Sequence, residues 1–423
     1  MLQISVIRQN KNEVINRLKV KNFDATHLIE TILELDEKRR TTQTKMDETL
    51  AEANRVAKSI GQLIKTGKQN EAASLKEQSA QLKAAAKAMA EDLEVYVNEM
   101  NKALVQIPNI PHHLVPAGKS AEDNEEVFEH GELPQLTGDF LPHWELIKKY
   151  NIIDFDLGNK VTGAGFPFYR GKGAKLQRAL INFFLDEGTK AGYLEYQPPL
   201  MVNEASAYGT GQLPDKDGQM YQAPVDKFYL IPTAEVPITN IYRDVILKES
   251  DLPVKNVAYS SCFRREAGSW GADVRGLNRL HQFDKVEIVQ ITSPELSYSA
   301  LEEMRNYVAS LLVKLGLPFR IIRLCGGDMS FTSAMTYDFE VFSAAQKRWL
   351  EVSSVSNFES FQSNRMKLRY KTAEGKTELA HTLNGSALAL PRVVAALLEN
   401  NQSPDGIKIP EVLIPFTGFD RID

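Results

Sequence analysis

The segment that begins at Ser260, SSCFRREAGSWGADVRGLNRLHQFDKVEIVQIT, concentrates groups able to grip a charged, flat ligand. Two strand-like runs flank a polar, glycine-rich loop of about a dozen residues, the pattern of a long antiparallel hairpin. Side chains alternate faces along a strand. Cys262, Arg264 and Glu266 therefore share one face of the first run, and His281, Phe283, Lys285 and Glu287 share one face of the second. The expected register sets Glu266 near Phe283, Arg264 near Lys285 and Cys262 near Glu287. Residues four apart on a strand are separated by about 13 Å, so the site would be linear. A flat base would lie at the Glu266 and Phe283 end, a phosphate or carboxylate at Arg264, and a small cationic or hydroxylated group at Glu287. A surface hairpin laced with cross-strand ion pairs would show the same pattern.

A second segment, ELAHTLNGSALALPRVVAALLENNQ from Glu378, alternates Gly385, Ala387 and Ala389 with Ser386, Leu388 and Leu390. This reads as a strand with one face of small side chains, which either admits a ligand close to the backbone or packs tightly on a neighbouring helix. Pro391 suits the first helical position. Arg392 then falls in the first turn, where cation and helix dipole together favour an anion such as a terminal phosphate. A third segment, GKGAKLQRALINFFLDEGTKAGYLEYQPPLMVN from Gly171, predicts an amphipathic helix through Leu176, Leu180, Phe183 and Phe184, ended by Gly188 and Gly192. A strand over Tyr193 to Gln197 follows, stopped by Pro198 and Pro199.

What positions these segments is a chain of 423 residues with 43% hydrophobic and 25% charged side chains, long enough for two or three domains. No run approaches the roughly 18 apolar residues of a membrane span, and the N-terminal residues lack the apolar core of a secretory signal; the expectation is a cytoplasmic protein with no membrane partner. Cys262 and Cys325 are the only cysteines, and the seven histidines are scattered, so neither a disulfide framework nor a protein-held zinc is expected.

The net charge of -5 hides a basic island: Arg55 to Lys87 holds seven basic residues against two acids. That island sits in a heptad pattern. A 4-3 spacing visits Leu28, Ile32, Leu35, Arg39, Thr42, Met46, Thr49, Ala53, Val56, Ile60 and Leu63, and restarts after a short turn at Gly67 as Ala72, Leu75, Ser79, Leu82, Ala86, Met89, Leu93, Tyr96, Met100 and Ala103. Two seams joined by a short turn imply an antiparallel helical hairpin, at about 1.5 Å per residue some 60 Å long. A dimerisation coiled coil or a spacer would have the same heptads. The cationic tip, with Lys58, Lys65, Lys68, Lys76 and Lys83, points instead to the phosphates of an RNA backbone. Pro108, Pro111 and Pro116, with Gly118 and the acidic run from Glu122 to Glu126, punctuate the chain as a linker over 108–140, between an N-terminal domain of residues 1–107 and a domain over 141–423.

Taken in chain order, the three segments are similar to motifs 1, 2 and 3 of the class II aminoacyl-tRNA synthetases. With the arm in front, the chain resembles the bacterial-type seryl-tRNA synthetases over nearly its whole length. FRREAGSWGADVRGL with HQFDKVE, IPTAEVPIT, EVSSVSNFESFQSNR and LNGSALALPR carry the resemblance, and no GxxxxGK[ST] loop competes for ATP. The resemblance implies an α+β fold, a coiled-coil arm followed by an antiparallel sheet flanked by helices, dimeric through motif 1. It implies activation of serine by ATP and transfer to tRNA(Ser), with tRNA(Sec) as a further substrate. Arg264 would hold the α-phosphate and Arg392 the γ-phosphate, the two catalytic residues, while Glu266 and Phe283 recognise and stack the adenine. Arg265, Leu280, His281, Gln282, Val352 and Ser353 complete the ATP-binding segments, and Glu351 and Ser354 would hold Mg2+ against the phosphates. Thr233, Ala234 and Glu235 would meet the serine ammonium, with Arg264, Glu287, Asn384 and Ser386 around the rest of the amino acid. Without the other motifs, TAE is an ordinary turn or helix cap and EVSSVSNF a polar strand. Alanines at 387 and 389 and a proline at 391 stand where the family often has glycines, which implies slightly tighter walls. Neither cysteine has a role in this chemistry. An enzyme of the same class acting on a carrier protein, and a scaffold that has lost catalysis, are the rival readings.

Overall fold

The computed structural model describes residues 1–134, 140–216, 218–266 and 275–423. The chain forms two compact units, one of residues 1–19 and 23–108, the other of residues 20–22 and 109–423.

In the first unit, α1 (Thr26–Lys65) and α2 (Gln69–Leu104) form the hairpin, 40 and 36 residues long. Every heptad position named above is buried or half-buried, and their helical neighbours are mostly exposed. Fully buried seam positions include Ala53, Ala72, Ser79 and Ala86, small side chains that let two backbones approach closely. The turn passes through Gly67 at φ +77°, a left-handed conformation that glycine adopts without strain. Asp36 of α1 is buried, and its carboxylate meets Arg8 at 3.1 Å, Arg39 at 2.8 Å and Arg40 at 3.1 Å. Burial works against its charge, but the bonds from Arg39 and Arg40, with the charge of Arg8, prevail and hold it below the usual carboxylate range.

The second unit is built on an eight-stranded sheet. Its strands are β1 (Glu125–His130), β2 (Leu194–Tyr196), β3 (Val254–Phe263), β4 (Gln282–Thr292), β5 (Phe319–Arg323), β6 (Met335–Ser343), β7 (Arg348–Glu359) and β8 (His381–Ala389). Their order is β1-β5-β6-β7-β8-β4-β3-β2, antiparallel throughout except for β2 on β3. Period-two alternation makes the two faces different. Val286, Ile288, Phe339, Val341 and Val355 point to one side, where α4 (Gly171–Lys190), α6 (Ser297–Lys314) and α8 (Leu390–Asn400) cover them in one continuous core. Burying each such side chain is worth about 1.5–3 kcal/mol. On the other side stand Lys285 and Glu287, with α5 (Glu235–Asn240) packing through Ala234 and Ile238 onto Ala258 and Val289. Two further short helices matter below: α3 (His143–Lys149) and α7 (Phe361–Met366).

Three expectations need correction. The linker predicted over 108–140 contains a strand of the main sheet and is anchored at its start: β1 is the edge strand paired with β5, and the Asn109 amide donates to the carbonyls of Thr332 at 3.0 Å and Phe358 at 2.8 Å. Residues 135–139 of that span lie outside the described residues. Prolines break helices but do not exclude a strand a few residues on. Gly188 does not end α4; it lies in the last turn, where an added Cβ would meet Val257 at 3.1 Å, and the left-handed Gly192, φ +87°, follows the helix end. Finally, the hairpin of β3 and β4 pairs Cys262 with Phe283, Ser260 with Lys285 and Ala258 with Glu287, four residues away from the predicted register. Parity is unchanged, so each residue keeps its face while its partner across the hairpin changes. The strands separate after Phe263 and Gln282, and the connection is longer than the dozen residues assumed; its residues 267–274 lie outside the described residues.

Candidate active site

The face of β3, β4, β8 and β7 opposite the main core gathers most of the expected residues. At one end, Arg264 donates its main-chain N–H to the His281 carbonyl at 2.9 Å, and its guanidinium lies 5.3 Å from the centre of the Phe283 ring. Arg264 thus stands at the level of His281 and Phe283 rather than facing Lys285. His281 is a support more than a contact: its ring stacks on Phe166 at 5.5 Å and bonds Tyr221 at 3.0 Å. Glu266 follows in the left-handed region at φ +48°, its carboxylate 3.2 Å from the Arg279 guanidinium. Arg265 and Gln282 are exposed.

The middle of the face is a buried carboxylate pair. Lys285 Nζ lies 2.6 Å from Glu287 Oε2, an ion pair with both side chains buried. Across the strand boundary Glu287 pairs with Ser386 and Val289 with Asn384. Glu235, the first residue of α5, is buried and accepts the Gln362 amide at 2.7 Å, with Asn384 bonding the same carboxyl. Gln362, on α7, is itself fixed by Thr382, whose hydroxyl donates to it at 2.7 Å. Burial, reinforced by the negative charge of Glu287, pushes the Glu235 carboxyl up to about 7. Thr233 accepts the Glu235 main-chain N–H at 3.2 Å, so TAE is a helix cap as well as part of the site, whereas Ala234 is packed into the small core beneath it.

At the far end, β8 runs into α8 with Pro391 in the first turn. Lys285 pairs with Ala389, so Arg392 leaves the sheet beside the Lys285 level. Its Nε donates to the Asn278 carbonyl at 3.0 Å and its Nη1 to the Glu351 carbonyl at 2.9 Å, leaving other N–H donors of the guanidinium for an anion. Glu351 is exposed and Ser354 half-buried. They share a side because β7 carries a bulge: Phe339 pairs with Ser353 but Glu340 with Glu351, so Val352 is an extra residue. Ser354 faces Asp338, which is buried, bonded by the Ser354 hydroxyl, and has one carboxylate oxygen without a partner. Burial first, then the charge of Glu351, raises the Asp338 carboxyl well above its ordinary range. Two carboxylates and a hydroxyl crowded this way fit a hard divalent cation. Among the described residues no three His, Cys, Asp or Glu side chains form a metal site by themselves, so an ion here would complete its shell with phosphate and water.

Some expected residues are elsewhere. Leu280 and Val352 belong to the main core, and the buried Ser353 hydroxyl donates to the Ser386 carbonyl at 2.5 Å, so these three side chains do not face the site. The small face of β8 is also a packing face. A Cβ at Gly385 would meet Val355 at 3.0 Å, and Ala387 lies in the core; the residues turned to the site are the alternating Asn384 and Ser386. Sequence reading missed Asp338, Gln362, Asn278 and Arg279, which hold expected residues in place. Of these, Asn278, Arg279 and Gln362 lay in segments already singled out, and Asp338 did not.

A mostly antiparallel sheet whose one face carries a paired arginine and aromatic ring on a hairpin, buried carboxylates, and an arginine opening a helix defines the core of a class II aminoacyl-tRNA synthetase. Residues 220–401 match the family model for the tRNA synthetase class II core domain (G, H, P, S and T), and residues 1–111 the Seryl-tRNA synthetase N-terminal domain. Serine–tRNA ligase of Salinibacter ruber is 51% identical, over 100% of this chain and 99% of that protein; the Akkermansia muciniphila enzyme is 46% identical over the same shares. Among solved structures, seryl-tRNA synthetase from Pyrococcus horikoshii complexed with ATP superposes with a TM-score of 0.93 at 31% identity, covering 100% and 99% of the two chains. Cytoplasmic serine–tRNA ligase from Naegleria fowleri in complex with AMP follows at 0.88 and 26%, with the same coverage. The chain belongs to the serine–tRNA ligase family.

Proposed function

We infer that this chain activates L-serine with ATP and loads it onto tRNA(Ser), using the single face described above for both steps. The serine carboxylate oxygen attacks the α-phosphorus of ATP as the bond to pyrophosphate breaks; a hydroxyl of the terminal tRNA ribose then attacks the seryl carbonyl and AMP leaves. No side chain need become covalently attached, so catalysis rests on placement and charge. In this reading Phe283 and Glu266 take the adenine, Arg264 the α-phosphate and Arg392 the terminal phosphate. Glu235 with Thr233 takes the ammonium. The Glu287 carboxylate, with Ser386, takes the hydroxyl. Asp338, Glu351 and Ser354 hold Mg2+, which neutralises phosphate charge when bound. The five tip lysines contact the tRNA backbone, and the enzyme works in the cytoplasm as a homodimer on tRNA(Ser) and tRNA(Sec).

The observation that carries the reading is the adjacency of two buried carboxylates, Glu235 and Glu287, to the Arg264 and Phe283 pair on one sheet face. A small cation bearing a hydroxyl resolves their mutual repulsion. The test is amino-acid-dependent exchange of pyrophosphate into ATP, run across the amino acids on the full chain. Serine alone should drive exchange strongly, and strong exchange with alanine or threonine would overturn the assignment of the pocket.

A further inference from the structure

A fully buried cluster that no step of the reaction uses lies behind Arg392. His143, the first residue of α3, has Nδ1 2.7 Å from Oε1 of Glu399 on α8, and its main-chain N–H donates to the same oxygen at 2.9 Å. Ser343 donates to the other oxygen of Glu399, and the Gln346 amide to Oε1 at 2.9 Å. On its opposite edge His143 Nε2 accepts the Leu277 main-chain N–H at 2.9 Å. An accepting ring nitrogen carries no proton, so the imidazole is neutral and its proton lies on Nδ1, directed at Glu399.

The contact is close-fitting. Gly276 adopts φ +66°, and a Cβ there would fall 2.3 Å from His143 Nε2. Arg275 stacks over Trp144 at 4.8 Å and pairs with Glu145 at 3.3 Å, so the whole stretch 275–277 is seated on α3. The next residue, Asn278, is buried; its carbonyl accepts Arg392 Nε at 3.0 Å and its amide donates to Gln346 at 3.1 Å. A closed circuit results: Glu399 fixes His143, His143 fixes Leu277, and the neighbouring carbonyl fixes Arg392, which shares α8 with Glu399.

We propose that His143 is a positioning residue for Arg392, acting through the main chain of residues 276–278 to set the guanidinium at the terminal-phosphate end of bound ATP. The inference rests on the reading that Arg392 meets that phosphate. Misplacement of a positioning group by about 1 Å is worth up to a hundredfold, so the effect is measurable in binding.

The experiment titrates ATP and AMP separately by calorimetry into full-length wild type, His143→Leu, His143→Gln, Glu399→Gln and Arg392→Ala. Leucine removes the acceptor for Leu277, whereas glutamine retains a carbonyl oxygen close to the Nε2 position. His143→Leu should weaken ATP by about tenfold or more while AMP binding and the KM for serine stay unchanged, and His143→Gln should recover most of the loss. Equal weakening of ATP and AMP, or no weakening of either, would overturn the proposal. If His143→Leu does not fold, Glu399→Gln decides by the same ratio. Arg392→Ala tests the underlying reading separately: an unchanged ratio there removes the γ-phosphate assignment, whereas a lowered ratio there with an unchanged one in His143→Leu removes only the positioning role.

Discussion

Lys285 and Glu287, two positions apart on β4, form an ion pair only 8% and 2% exposed, and the Glu287 oxygen nearest the ammonium can accept from a second donor. A ligand hydroxyl supplies that donor, and an amino acid without one leaves the oxygen unsatisfied in the complex. Glu287→Gln should therefore lower serine-dependent exchange by at least about a hundredfold, or 2.7 kcal/mol, while the slight exchange with alanine changes little. Comparing kcat/KM for the two amino acids checks it; an unaltered ratio would contradict the role.

The Glu235 carboxyl, pushed up to about 7 by burial and by Glu287, predicts a pH effect on stability. Its folded value lies above the unfolded one of 4.5, so the unfolded chain ionises first as pH rises. The native state loses stability between those values, and the penalty, about 3 kcal/mol from the linkage relation, is complete above pH 7. Glu235→Gln should thus be more stable than wild type at pH 8, with the gap closing toward pH 4.5, and should be nearly inactive. Denaturant melts across this range decide the matter: a constant gap would show that Glu235 is not the titrating group.

The tip lysines are exposed, and among the described residues Lys68 alone of Lys58, Lys65, Lys68, Lys76 and Lys83 pairs with an acid, Glu71 at 3.1 Å. Replacing all five by alanine should leave serine-dependent exchange intact and raise the KM for tRNA. The salt dependence of tRNA binding should flatten by roughly one unit of slope for each phosphate that a lysine no longer neutralises. Unchanged tRNA binding at low and high salt would assign the tip a different partner.

Cys262 is buried opposite Phe283, and burial pushes its thiol up, away from the thiolate form that a nucleophile needs. Cys262→Ala should keep activity within a hundredfold, or about 2.7 kcal/mol, with only a modest drop in melting temperature from the small void. A larger fall in kcat at unchanged stability would restore a chemical role to the sulfur.

How far the sequence reaches depends on which contacts are local. The arm was legible residue by residue, because heptad spacing and burial are the same periodicity seen twice. Face assignments on β3 and β4 were legible for a similar reason. Register was not: alternation is blind to a shift of an even number of residues, and the long connection between these strands, rather than their composition, sets the pairing. The small residues of β8 left ligand approach and tight packing both open, because Gly385 signals close approach without saying of what, and here it is Val355 of the adjacent strand. Asp338, Gln362 and His143 were invisible because their partners lie far along the chain, such as Glu399 for His143.

The extra residue at Val352 fixes how the gene can vary here. Deleting one codon between Glu351 and Ser354 would restore regular pairing and leave the two residues two apart, still on one face opposite Glu340 and Asp338. What would turn one of the two toward the helix-covered side is regular pairing at their present spacing of three, so among natural relatives this stretch should either keep the bulge or lose the extra residue.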